Sequence, residues 1–144
     1  RLSQLPGVRG VKNGAPAAEH AHQHVHHLRT AVPVDFSCGY SGDALIAGVL
    51  KAGADAWYSV LGGTLPDVCI RMWNARSDDG ALDALNERLK PLWAVFAKHG
   101  SIRVVFEMLP ILGLGELVPP RPLLPLDAAT RRQIESALGQ AGVV

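Results

Sequence analysis

Short apolar runs cut by glycine and proline fill the first half of the chain, and leucines at helical spacing fill the second. The runs at residues 8–12, 32–37 and 56–60 predict three strands. Each is a continuous apolar run with little alternation, the pattern of parallel strands covered on both faces. Between them the pattern turns helical. Residues 17–29 open after Pro16, and residues 44–51 follow Asp43 and stop at Gly53. A third helix runs to about Arg76 from Thr64, an N-cap candidate with Asp67 three residues on.

Strand and helix therefore alternate with connections of a few residues, which is the signature of βαβ units in a parallel sheet. Beyond Arg76 the pattern changes. Asp78 and Asp79 start a long amphipathic helix with Leu82, Leu85, Leu89, Leu92 and Phe96 on one face, and Pro91 is expected to kink it. Residues 101–112 predict another helix, residues 118–125 a proline-rich crossing, and residues 128–138 a last helix capped by Asp127 and closed by Gly139. Two regions follow from this: residues 1–77, three β/α units, and residues 78–144, a helical tail. Residues 1–6 read as the end of a preceding helix. Three parallel units leave bare sheet edges, and the chain opens at Arg1 without methionine, so it reads as part of a larger barrel or sheet.

Composition narrows the function classes. A chain of 144 residues with 48% apolar positions suits one globular domain. A formal net charge of +1 with scattered lysines and arginines offers no footprint for nucleic acid. No apolar stretch is long enough to span a bilayer, and no signal peptide precedes the first strand. Cys38 and Cys69 both lie in apolar segments and read as buried thiols of a reducing, cytoplasmic compartment.

The candidate chemistry centres on Lys12, which closes the first apolar run just before Gly14 and Pro16. A lysine at the end of a largely buried strand points into a cleft, and an ammonium stripped of water gives up its proton to become a nucleophilic amine. His20, His22, His24, His26 and His27 are the other conspicuous group. His20, His24 and His27 share a helix face, yet only Glu19 stands near enough in sequence to complete a metal site, so they read as solvated and no metal is expected. Trp57, Trp73 and Trp93 read as core or contact residues, Arg131-Arg132 as a solvated helix face, and Lys51 and Lys98 as helix-end lysines.

The order of these features resembles the dihydrodipicolinate synthase and N-acetylneuraminate lyase family of Schiff-base aldolases and lyases. Gly10-Val11-Lys12 resembles the family's sixth strand, which ends in its Schiff-base lysine. Cys38-Gly39-Tyr40-Ser41-Gly42-Asp43 is similar to the segment after its seventh, and Gly53-Ala54-Asp55-Ala56-Trp57-Tyr58-Ser59-Val60 to its eighth. Arg88-Leu89-Lys90-Pro91-Leu92 is similar to part of the first tail helix, and Arg121-Pro122-Leu123-Leu124-Pro125-Leu126 to the approach to the last.

The resemblance implies an α/β fold, the C-terminal half of a (β/α)8 TIM barrel followed by a helical C-terminal tail. It implies a lyase in which Lys12 forms an imine with pyruvate or a related 2-oxo acid, and the derived enamine adds to an aldehyde. Gly39 would let the backbone approach the substrate, and Tyr58 would line the cleft and limit substrate size. No metal or organic cofactor is implied, and a homotetramer is. The chain departs from the lysine-pathway synthases at Asn13, in the longer loop through Gly42 and Asp43, at bulky Tyr58, and at Arg103-Val104-Val105-Phe106. Aldolase or dehydratase activity on 2-keto-3-deoxy sugar acids and N-acetylneuraminate lyase-like activity are the neighbouring alternatives. A catalytically silent 2-oxo acid binder and a histidine-rich metal-binding module are alternatives of other classes.

Overall fold

The structure is a computed structural model, and it describes residues 2–143. Of the expected helix end at residues 1–6, Arg1 lies outside the described residues, and Leu2–Gln4 make a single 3-10 turn. Three strands follow, β1 (Gly10–Gly14), β2 (Ser37–Ser41) and β3 (Ala56–Tyr58), and they form one parallel sheet in that order. The helices are α1 (Ala21–Ala31), α2 (Ile46–Lys51), α3 (Pro66–Asn74), α4 (Asp79–His99), α5 (Ser101–Ile111) and α6 (Ala128–Gln140).

The first two strands begin later than their apolar runs predict. Pro33 to Phe36 form a turn closed by the Phe36 N–H donating to the Pro33 carbonyl at 3.1 Å, and Val34 sits at its tip 93% exposed. Proline fixes that turn, and the side chains that bury are instead Cys38 and Tyr40, both inaccessible to solvent. Gly39 is therefore inside β2, and the strand gives way just past Ser41 at Gly42, whose φ of 102° suits a residue without Cβ. β1 runs on past Lys12 because Asn13 and Gly14 find partners in Tyr40 and Ser41. Lys12 is thus the middle residue of its strand, and it is exposed.

The sheet is covered on one face. Val11, Cys38 and Tyr40 point to the side where α1 and α2 pack. The opposite face carries Gly10, Lys12 and Gly14, all exposed, and among the described residues no layer lies over it.

The helical tail packs onto the same core. Leu82, Leu89, Leu92 and Phe96 of α4 are buried and Leu85 is half-buried, as their spacing predicts. Burying a leucine side chain contributes about 1.5–3 kcal/mol, so this stripe anchors the tail. Asp78 caps α4 by accepting the Ala81 N–H at 3.0 Å, and the helix continues through Pro91. α4 packs against α2 on one side and against α5 and α6 on the other, in one hydrophobic cluster running from Ala21 to Ala141.

Three local readings are corrected. Thr64 is not a cap: Leu65 takes that position, Pro66 opens α3, and the Thr64 hydroxyl donates to the Leu61 carbonyl at 3.2 Å. α6 runs through Gly139 to Gln140 and turns at Gly142, φ 67°. Arg131 is not simply solvated, because its guanidinium reaches the buried carboxylate of Glu107 on α5.

Candidate active site

Register decides which side chains meet on the open face. Lys12 stands beside Gly39, Gly39 beside Ala56, and Ser41 beside Tyr58. With side chains alternating along each strand, Lys12, Gly39 and Tyr58 share one face of the sheet. The Lys12 Nζ lies 5.6 Å from the centroid of the Tyr58 ring, within cation–π range. Gly39 is buried beneath that ring: a Cβ there would run into the ring edge and stand 3.2 Å from the Ala56 Cβ. The missing side chain of Gly39 is the seat of Tyr58, a role that its position in sequence does not reveal.

Polar tethers hold the three strands at this point. Asp43, read from sequence as a helix start, is 5% exposed. It accepts the Trp57 indole N–H at 3.0 Å and the backbone N–H groups of Val60 and Leu61 at 3.1 and 2.9 Å. The only trace of this in the sequence is a lone acid between a strand-ending glycine and an apolar helix. At the other end of the strands, Asp55 pairs with Arg29 and accepts the Cys38 N–H at 2.7 Å. Arg29 also donates to the Phe36 carbonyl at 2.8 Å, so α1 is tied to the starts of both β2 and β3. The Ser41 hydroxyl donates to the Asn13 carbonyl at 3.2 Å and joins β2 to β1.

The two cysteines are buried and unpaired with one another. Burial pushes the Cys38 thiol above its ordinary value, helped by the Asp55 carboxylate and opposed by Arg29. Burial likewise raises Cys69, whose contact with Ser59 works the other way. Thiols held protonated in this way are poor nucleophiles.

The five histidines from His20 to His27 are all exposed along α1 and the turn before it. His24 Nδ1 lies 3.1 Å from the hydroxyl of buried Tyr40, and the two rings meet edge to face. Among the described residues, no three His, Cys, Asp or Glu side chains gather to hold a metal ion. A groove of about 450 Å³ between β3 and α3 is lined mainly by Trp57, Pro66, Cys69, Ile70 and Trp73, and does not include Lys12. Its one thiol, Cys69, is buried and its pKa is raised by that burial.

A family model, the dihydrodipicolinate synthetase family, matches residues 1–141, and the chain belongs to that family. The chain is 27% identical over 146 aligned positions to the 4-hydroxy-tetrahydrodipicolinate synthase of Nitrobacter hamburgensis and 26% identical to that of Bradyrhizobium diazoefficiens. Each alignment takes in all of this chain and 48% of the relative, so the chain spans about half the length of the curated relatives it matches. The crystal structure of dihydrodipicolinate synthase from Agrobacterium tumefaciens superposes with a TM-score of 0.90 at 37% identity, covering 97% of this chain and 48% of that one. Dihydrodipicolinate synthase from Thermotoga maritima shares the fold, with a TM-score of 0.85 at 21% identity, over 99% of this chain and 49% of its own. No helix among the described residues is long and apolar enough to cross a membrane.

Proposed function

We propose that this chain is the lysine-bearing, C-terminal half of a (β/α)8 barrel, with residues 1–77 supplying the last three β/α units and residues 78–144 the helical tail. The intact protein is then a Schiff-base lyase of the dihydrodipicolinate synthase type. Lys12 attacks the ketone of pyruvate or a related 2-oxo acid, water leaves, and a protonated imine forms. That imine draws electrons from the neighbouring carbon, whose bond to a proton or a carbon substituent then breaks. The resulting enamine adds to an aldehyde, or the sequence runs in reverse as a cleavage. Gly39 and Tyr58 are the substrate-side neighbours of Lys12. The lysine is the electron-sink handle, and the reading calls for no metal or organic cofactor.

The observation that carries this reading is Lys12 itself, the one lysine of the three-stranded sheet, standing on its open face. Family membership supports the chemistry, and barrel enzymes place their reacting groups toward the C-terminal ends of strands. The bare face supports the half-barrel assignment, since the rest of a barrel would enclose it. The proposed assembly is a homo-oligomer, a tetramer, in a cytoplasmic setting.

Borohydride reduction of the intact protein with pyruvate, followed by peptide mapping, tests the reading. A pyruvyl adduct on the Lys12 peptide is the expected result. Adducts with longer 2-keto-3-deoxy acids but not pyruvate would move the assignment to the sugar-acid aldolases. A folded protein that binds 2-oxo acids and yields no adduct with any of them would overturn the enzymatic reading.

A further inference from the structure

Tyr58 has a specific geometric relation to the reactive nitrogen. Its ring rests on Gly39, and its face lies toward Lys12 Nζ, 5.6 Å from centroid to nitrogen. We propose that Tyr58 is a positioning and charge-stabilising residue for the lysine imine, with its ring held over the nitrogen by the space Gly39 leaves. This inference rests on the imine reading above and adds to it the group that favours the covalent adduct.

The chemistry balances without any further reactant. The ammonium of Lys12 first gives its proton to solvent. The free amine then attacks the carbonyl carbon, a C–N bond forms, the carbonyl electron pair takes up a proton as hydroxyl, and the nitrogen releases one of its own protons. Loss of that hydroxyl as water, with a second proton, leaves C=N⁺–H. The sum is ammonium plus ketone to protonated imine plus one water. Nitrogen carries positive charge at the start and at the end, so a ring that attracted both equally would change nothing.

The two cations differ in hydration. An exposed ammonium is a compact charge with three N–H donors and a firmly held water shell, which weakens its attraction to an aromatic face. The protonated imine has a single N–H and spreads its charge onto carbon. It surrenders less hydration when it settles on the ring, so the ring favours the adduct over the free lysine. Tyr58 is 44% exposed, and covering by bound substrate would strengthen the effect. The contribution comes from the ring face, so the hydroxyl is dispensable.

Three variants of the intact protein test this, each trapped with borohydride over a series of pyruvate concentrations. Tyr58→Phe keeps the ring, so its curve should shift much less than that of Tyr58→Leu. Tyr58→Leu removes it and should raise the pyruvate needed for half-maximal Lys12 adduct by roughly two- to thirtyfold. Gly39→Ala fills the seat, displaces the ring and should shift the curve in the same direction as Tyr58→Leu. Circular dichroism establishes that each variant is folded, and Tyr58→Met replaces Tyr58→Leu if the latter is not.

Superimposable curves for the parent, the Phe variant and the aliphatic variant would overturn the role of Tyr58 while leaving the imine intact. A parent protein that forms no Lys12 adduct with any 2-oxo acid would overturn the imine reading itself, and this inference with it.

Discussion

Asp43 accepts the indole N–H of Trp57 at 3.0 Å, and so a carboxylate in the loop after β2 fixes the side chain next to Tyr58 on β3. Its second oxygen takes the N–H groups of Val60 and Leu61, where β3 turns into the following helical turn. Three donors converge on one buried acceptor group, and removing it strands all three. Asp43→Ala should cost about 2–4 kcal/mol in urea unfolding. Asp43→Asn keeps one carbonyl acceptor and should cost roughly half as much. Equal midpoints for Asp43→Ala and the parent would show that water replaces the tether.

Glu107 and Arg131 present a different balance. Glu107 is buried, with the Arg131 Nε at 2.8 Å and Nη2 at 2.7 Å from one oxygen and the Leu126 N–H at 3.2 Å from the other. Removing the arginine leaves a buried carboxylate unmatched. The side chain of Arg131 is 41% exposed, so water screens the pair and the loss falls below that of a fully enclosed one. Arg131→Ala should cost about 2 kcal/mol, against roughly 3–5 for a dry pair, and lower the thermal midpoint. Glu107→Gln removes the charge but keeps an acceptor for Leu126, and should be milder. Thermal melts that rank the two variants the other way would refute this account.

The parts of the fold legible in the sequence are those that local rules control. The leucine stripe of α4 and the caps at Asp78 and Asp127 each depend on residues within a turn or two, and each is found where the spacing puts it. Strand ends are set by the neighbouring strand. Asn13 and Gly14 lie beyond the apolar run, yet Tyr40 and Ser41 pair with them, and Val34 looks like a strand until Pro33 folds it into a turn. The Thr64 cap fails for a similar reason, since Pro66 already supplies the helix start. Within the candidate site, the place of Lys12 in the first strand is legible from its apolar run, though the strand continues two residues past it. The seat of Tyr58 on Gly39 depends on the β2–β3 register, and the Arg131–Glu107 pair joins residues 24 apart on separate helices; no periodicity reports either.

The buried thiols predict behaviour in alkali. Burial raises Cys38 above 9.0, so the folded state holds its proton more tightly than the unfolded chain does. Between the unfolded and folded values the native state binds more protons, and stability falls as pH rises. This contribution is complete below pH 9.0 and is lost as pH climbs through the folded value. Tyr40, raised above 10.0 chiefly by burial, acts in the same sense at higher pH. Cys38→Ala should therefore show a shallower loss of stability just above pH 9 than the parent, by urea unfolding at stepped pH. Identical alkaline slopes would remove Cys38 from the explanation.

Asp127 predicts the opposite dependence at acid pH. Its carboxylate accepts the Thr130 N–H at 2.7 Å at the start of α6, and that backbone bond, joined by the Thr130 side chain and the nearby His99, holds it below 3.8. The unfolded chain then binds the proton first, so the cap's contribution is present above pH 3.8 and disappears as pH falls through the folded value. Asp127 is exposed, so the effect comes from the hydrogen bond and the helix end, with little from burial. Asp127→Asn keeps an oxygen for Thr130 but has nothing to titrate, and should flatten this part of the acid limb. Asp127→Ala loses the cap as well, and should be less stable than the parent even near neutral pH. Melts between about pH 5 and about pH 2.5 separate these cases. Acid limbs of equal slope for the parent and Asp127→Asn would mean that other carboxylates govern the acid unfolding, with Asp127 serving only as an uncharged acceptor would.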